Sequence, residues 1–215
     1  MAERNQNLFE RLESEYDLHG RTLRVIIFSA FLYTSFLLLD WIFAPAKFTE
    51  FLIIRLVVLA VHAVLFAYLR RIRTNRGAEN VAIILTIVDV AGIALMIQIL
   101  GGFETAYVQG LYLIIMGIVV IVPLRFRTTI ILYALIWASY AIPGFFRSPA
   151  DSKGAFANLF FLSAVIVLGI LGSSIMEKIR KRELAGRMKL EDTSSQLQES
   201  NEKLKTIDNV KMQFF

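Results

Sequence analysis

The chain has 215 residues, 56% of them hydrophobic, a formal charge of +5 and no cysteine. A soluble domain averages no more than about half apolar residues, so this composition, with repeated apolar runs of about 20 residues, excludes a water-soluble class and reads as a polytopic membrane protein. The missing cysteines exclude disulfides and zinc–thiolate sites, and the basic residues gather at the ends of the apolar runs, where lipid headgroups bind them, which excludes nucleic acid as the partner.

Residues 1–20 are polar and charged, unlike a secretory signal peptide. Leu8, Phe9, Leu12 and Tyr16 share one helical face, which predicts a short helix lying in the membrane interface. Gly20 separates it from the first apolar run.

Six spans are predicted over Leu23–Ala44, Phe48–Leu69, Asn80–Leu100, Ala106–Leu124, Thr128–Phe146 and Ala155–Met176. The connectors are charged asymmetrically. One set carries Arg4, Arg11, Arg21, Arg24, then Arg70, Arg71, Arg73, Arg76, then Arg125 and Arg127, then Lys178, Arg180, Lys181, Arg182, Arg187 and Lys189. The other set holds only Lys47, Arg147 and Lys153. The positive-inside rule puts the basic set, and both termini, in the cytoplasm. The outer connectors, Pro45–Lys47, Gly101–Thr105 and Arg147–Gly154, are too short to form an extracellular sensing domain. A ligand is then met within or at the edge of the bilayer. Pro143-Gly144 is expected to kink the fifth span.

Ionisable groups are costly in hydrocarbon and turn toward the bundle interior. Asp40 and Arg55 lie at similar depths on the first and second spans, which a tight turn joins, so they form a natural structural ion pair. His62 and Asp89 lie at depths that agree to within about 3 Å at ~1.5 Å per residue. They serve either as a polar spot in an apolar ligand pocket or proton-linked switch, or as helix–helix glue with Thr86, a serine or each other. Gln98 and Gln109 are further candidates for lining the same cavity. Tyr112, Tyr133 and Trp137, with Tyr107 and Tyr140, supply aromatic walls with polar tips. Gly169, Gly172, Ser173 and Ser174 give the sixth span a small-residue face for close packing, within the bundle or across a dimer. The chain has no glycine-rich phosphate loop, no H-E-x-x-H and no Ser/His/Asp grouping in register, so no catalytic residue, metal site or cofactor of its own is expected.

The last quarter is one proline-free stretch that turns from apolar to charged at Glu177. Glu177/Lys181, Glu183/Arg187 and Glu199/Lys203 are Glu-before-base pairs that support an exposed helix. Leu190, Leu197 and Leu204 recur every seven residues. With these at d, Ser194 and Asn201 fall at a, which predicts a parallel two-stranded coiled coil with a polar seam. The expected fold is therefore all-α: a six-helix membrane bundle (21–178) after an N-terminal segment (1–20), with a long C-terminal signalling helix (179–215) that makes the chain a homodimer in the lipid bilayer.

The ending Leu204, Lys205, Asp208, Lys211, Phe214 and Phe215 resembles the lead-in to the phosphoacceptor helix of sensor histidine kinases, L-K-x-x-D-x-x-K-x-x-F-[FLV]. The resemblance covers residues 204–215. It implies the sensor region of a bacterial inner-membrane, two-component kinase, with the phosphoacceptor histidine, the ATP- and Mg2+-binding kinase domain and the response-regulator contact all beyond Phe215. The span count, the short loops and the turn Asp40-Trp41-Ile42-Phe43-Ala44-Pro45 are similar to six-span kinases of the quorum-sensing type, which implies a small hydrophobic ligand. The six-span anchor of a nucleotide cyclase shares the topology, although the ending favours the kinase. A small carrier would have no use for the long helix.

Overall fold

The computed structural model describes residues 18–72, 74–102, 105–120, 124, 126–147 and 152–213. Its regular elements are six helices: α1 Leu18–Phe43, α2 Phe48–Arg71, α3 Asn75–Ile99, α4 Val108–Val120, α5 Phe126–Arg147 and α6 Ser152–Gln213, with a 3-10 turn at Pro45–Lys47. The interfacial helix expected around Leu8, Phe9, Leu12 and Tyr16 lies outside the described residues, as do Phe214 and Phe215 of the kinase-like ending. Two compact units are present, one spanning Asp17–Glu177 and the other containing Lys178–Phe215.

Five of the helices are long and apolar enough to cross a membrane. The predicted fourth span is the exception: α4 has 13 residues, about 20 Å at ~1.5 Å per residue against a hydrocarbon core of about 30 Å. Residues 121–123 of that predicted span are outside the described set. Helical structure in α5 continues through Pro143.

The Asp17–Glu177 unit exposes large apolar side chains and buries a few polar and ionisable ones within an otherwise apolar core. Phe31, Trp41, Phe43, Val64, Phe156 and Phe160 are each more than 60% exposed, whereas Asp40, Arg55, His62, Thr86, Asp89 and Thr129 are buried. In water this would reverse the usual partition of side chains. In hydrocarbon it satisfies both constraints, because lipid takes the apolar face and the interior takes the groups that need partners. The chain is an integral membrane protein.

α3 is the centre of the unit. Ala78, Val81, Ala82, Leu85, Thr86, Asp89, Val90, Gly92, Ile93, Met96 and Ile97 are all buried. That stripe recurs at three- and four-residue steps but is wide enough to meet helices on two sides. α1 and α2 pack on one another and on α3, and α4 and α5 also pack on α3. The Thr74 hydroxyl caps the start of α3 by accepting from the Gly77 amide at 3.2 Å. Its end closes with Gly102 N–H on the Ile97 carbonyl and Gly101 N–H on the Gln98 carbonyl. That is a Schellman pattern, and its positive φ at Gly101 explains the glycine there.

Close approach of α1, α2 and α3 depends on Gly92. A Cβ at this position would lie 2.8 Å from the Tyr33 hydroxyl and 3.0 Å from Val58 Cγ2. Gly92→Ala is therefore expected to destabilise the bundle by about 1–3 kcal/mol, read as a lower thermal midpoint of protein purified in lipid. Gly117, where a Cβ would meet no atom within 4 Å, supplies the control: Gly117→Ala is expected to cause no loss. Equal effects of the two substitutions would rule out tight packing at Gly92.

Candidate functional site

A line of polar side chains runs through the α1–α2–α3 interface. Toward the α1–α2 turn, Arg55 Nε donates to Asp40 Oδ2 at 2.5 Å and Arg55 Nη2 donates to Asp40 Oδ1 at 2.9 Å. This two-pronged geometry suits a guanidinium facing a carboxylate. Tyr107, just ahead of α4, donates its hydroxyl to the same Oδ1. The remaining edge of the guanidinium reaches back to α1, where Nη1 donates to the Tyr33 carbonyl at 3.2 Å. The guanidinium also lies 5.3 Å from the Tyr33 ring centre and 5.8 Å from that of Phe36, within range of cation–π attraction. Asp40 and Arg55 are almost wholly buried, so the pair joins α1, α2 and the entry to α4.

Deeper in the bundle, His62 and Asp89 come together with Nε2 3.3 Å from Oδ1. Ser29 of α1 bridges them: its Oγ is 2.8 Å from Asp89 Oδ2 and 3.0 Å from His62 Nε2. The other imidazole nitrogen, Nδ1, lies 2.8 Å from the Val58 carbonyl one turn earlier. Thr86, weighed as a partner for this pair, bonds instead to the Ala82 carbonyl of its own helix. Tyr33 links the two polar groups, since its hydroxyl donates to the Asp89 carbonyl at 2.8 Å while its own carbonyl accepts from Arg55.

The other candidate residues lie elsewhere. Tyr112 donates to the Asn158 carbonyl at 3.4 Å, Tyr133 is 3.4 Å from the Ser173 hydroxyl, and the Trp137 indole donates to Ser163 at 3.1 Å. Together they form a seam where α4 and α5 meet α6. Gly169 and Gly172 belong to this seam: Cβ atoms there would fall 2.9 Å from Ile115 and 2.8 Å from Val119. The small-residue face of α6 thus packs within the bundle. Gln109 is exposed and Gln98 half-buried.

Ser29, Tyr33 and the Tyr107–Asp40 bond were not among the sequence candidates. Ser29 and Tyr33 sit one helical turn apart on α1 and share a face with Asp40 two turns further on. That spacing was the available signal.

Removing one partner from a buried pair leaves the other charge unpaired. Asp40→Ala and Arg55→Ala are each expected to cost about 3–5 kcal/mol, and the double variant markedly less than the two together. Thermal denaturation of the three variants in lipid measures this, and additive losses would show that the two side chains act independently.

The MASE8 family model matches residues 38–191, which takes in the Asp40–Arg55 pair, His62, Asp89, the α6 seam and the first charged turns beyond it. No curated protein and no solved structure matches the chain. Buried ionisable pairs inside an apolar bundle, together with a family match over most of the chain, identify the class: this chain belongs to the MASE8 family, a membrane-associated sensor domain that serves signal detection in the membrane for an output domain.

Proposed function

We propose that the chain is the sensor region of a two-component histidine kinase in a bacterial inner membrane, with both termini cytoplasmic. It binds a small hydrophobic signal between its membrane helices and passes the change through α6 to a kinase domain that uses ATP and Mg2+ and serves a response regulator. The carrying observation is α6 itself. Its membrane half is held to α4 and α5 by the Tyr112, Tyr133 and Trp137 bonds and by the Gly169 and Gly172 contacts. The same helix then continues into charged sequence as far as Gln213. In this reading α6 passes an arrangement chosen in the bundle to the output domain.

The charged half supports a dimer. Leu190, Leu197 and Leu204 are 72%, 62% and 56% exposed in the single chain, an apolar stripe at heptad spacing that a second copy would cover. Ser194 and Asn201 in the same seam weaken pairing and restrain its register, properties that suit a switch. Arg187 pairs with Glu183 at 2.7 Å on the exposed surface, the i,i+4 support expected of such a helix. The ending Leu204–Phe215 favours a kinase over a nucleotide cyclase as the output.

Register tests the reading. In the complete protein, one residue inserted after Gln196 rotates everything downstream by ~100°, whereas seven restore the phase to within about 20°. The single insertion is expected to reset basal autophosphorylation and the seven-residue insertion to preserve it; equal outputs would make α6 a passive tether. The dimer is tested separately in this cysteine-free chain. Leu197→Cys or Leu204→Cys is expected to cross-link readily to its own copy and Gln198→Cys poorly. Equal cross-linking at all three positions would remove the coiled coil.

A further inference from the structure

The contacts of Ser29, His62 and Asp89 fix how many protons this cluster holds. Nδ1 of His62 lies 2.8 Å from the Val58 carbonyl. A carbonyl only accepts, so Nδ1 carries a hydrogen. Two further contacts remain, Ser29 Oγ to Asp89 Oδ2 at 2.8 Å and Ser29 Oγ to His62 Nε2 at 3.0 Å. Each needs one hydrogen, and the serine hydroxyl supplies only one. The second must come from a neighbour. Either Asp89 is a carboxylic acid that donates to Ser29, which donates to a neutral His62, or His62 is an imidazolium that donates to Ser29, which donates to the Asp89 carboxylate. The two arrangements contain the same atoms. They interconvert when the carboxyl proton moves to Ser29 Oγ as the serine proton moves to Nε2. In both, the cluster is neutral overall, as a site buried among apolar helices requires.

We propose that Ser29, His62 and Asp89 form a proton-binding site inside the membrane bundle, that Ser29 shares the bound proton between imidazole and carboxyl, and that loss of this proton unlatches α1 from α2 and α3. When the proton leaves, a carboxylate and a neutral imidazole face one serine hydrogen. One of the two bridging bonds is lost, and the freed group is buried without a donor. Asp89 Oδ1 already has no hydrogen-bond partner and is buried; His62 Nε2 lies 3.3 Å from it and, in the neutral imidazole protonated on Nδ1, carries no hydrogen to give.

Among the described residues, the neighbouring donors with known bonds are committed elsewhere. From α1, Tyr33 spends its hydroxyl on the Asp89 carbonyl. From α2, Arg55 is committed to Asp40 and the Tyr33 carbonyl. α4 and α5 bring tyrosines along their spans, and Tyr112, Tyr133 and Tyr140 bond toward Asn158 and Ser173 of α6. The Asp40–Arg55 pair still holds α1 near the α1–α2 turn. His19 Nε2, 2.8 Å from the Leu69 carbonyl, still holds its far end. Proton loss therefore releases the middle of α1.

The chain has two histidines, so His19→Gln leaves His62 as the single imidazole while keeping a donor for Leu69. Nitrogen NMR of this protein, 15N-labelled at histidine in lipid nanodiscs, is followed from mildly acidic to mildly alkaline pH. A single titration step at His62 is expected, accompanied in infrared difference spectra by a carboxyl band that Asp89→Asn removes. The side-chain amide that Asp89→Asn introduces can donate permanently to Ser29. This substitution is therefore also expected to abolish the step while keeping the Nδ1-protonated neutral imidazole. Ser29→Ala is expected to move the midpoint. Spin labels on Ile27→Cys and Val64→Cys, both exposed positions, are expected to show a broader distance distribution above the midpoint, and no such change with Asp89→Asn. A His62 signal and a carboxyl band that both ignore pH, or an identical step in Asp89→Asn, would overturn the proton site. An unmoved midpoint in Ser29→Ala would overturn the sharing role of Ser29, and a pH-independent label distance would overturn the unlatching. None of these readouts depends on the identity of the output domain.

Discussion

A bundle surrounded by hydrocarbon must satisfy every buried polar group from within, and this constraint shapes the membrane unit. A lone Arg55 or Asp40 in such a place would cost several kcal/mol; together, with Tyr107 and the Tyr33 carbonyl as additional partners, they become the fastening of the first hairpin. The same requirement explains why α1, α2 and α3 adopt one relative register. Sliding α1 by a single turn would separate Ser29 from His62 and Asp40 from Arg55 at once, so the apolar faces, which tolerate many registers, are held to one by a few polar contacts.

α3 carries the consequences from one side of the bundle to the other. Its Asp89 and Gly92 face α1 and α2, where a Cβ on Gly92 would strike Tyr33 and Val58. Its Ile93 meets the position of Gly110 on α4, where a Cβ would lie 2.9 Å from Ile93 Cδ1. A shift of α3 needed to accommodate movement of α1 is therefore felt by α4 with little slack, because packed interiors repack between discrete arrangements more readily than they deform continuously. α4 in turn places Ile115 and Val119 against the glycines of α6.

The helices were legible because hydrophobic run length and flanking arginines are strong, local signals, and observed helix ends fall within a few residues of the predicted ones, with α4 shorter than expected. The matched depths of Asp40 with Arg55 and of His62 with Asp89 were legible for the same reason: charged residues in an apolar run are rare, and each needs a partner. Ser29 and Tyr33 were not, since serine and tyrosine are ordinary in membrane helices and their own backbone can satisfy a serine, as Thr34 and Ser35 do by bonding to Ala30 and Phe31. Sequence spacing also could not say which way the Gly169–Gly172 face turns, because a dimer and a bundle neighbour ask for the same small residues. The grouping of Gln98, Gln109, Tyr112, Tyr133 and Trp137 with Asp89 rested on depth alone, and depth does not resolve azimuth. The hydrogen bonds of Tyr112 and Trp137 run to α6, and Tyr133 is shared between Ser173 of α6 and the Ile115 carbonyl of α4.

The separation of the two polar regions gives the sensor a physical division of labour. The α1–α2–α3 cluster is ionisable and closely balanced, with Asp89 Oδ1 buried and lacking a hydrogen-bond partner, so its energy changes steeply when a proton alters the balance of donors and acceptors. The α4–α5–α6 seam is made of neutral hydroxyl and indole contacts between 3.1 and 3.4 Å, longer and weaker bonds that exchange partners at small cost. In the relay proposed above, a steep element coupled to a compliant one through α3 converts a local chemical event into a change of helix arrangement. If both ends were charged and tightly paired, the bundle would be locked; if both were compliant, nothing at Asp89 would reach α6.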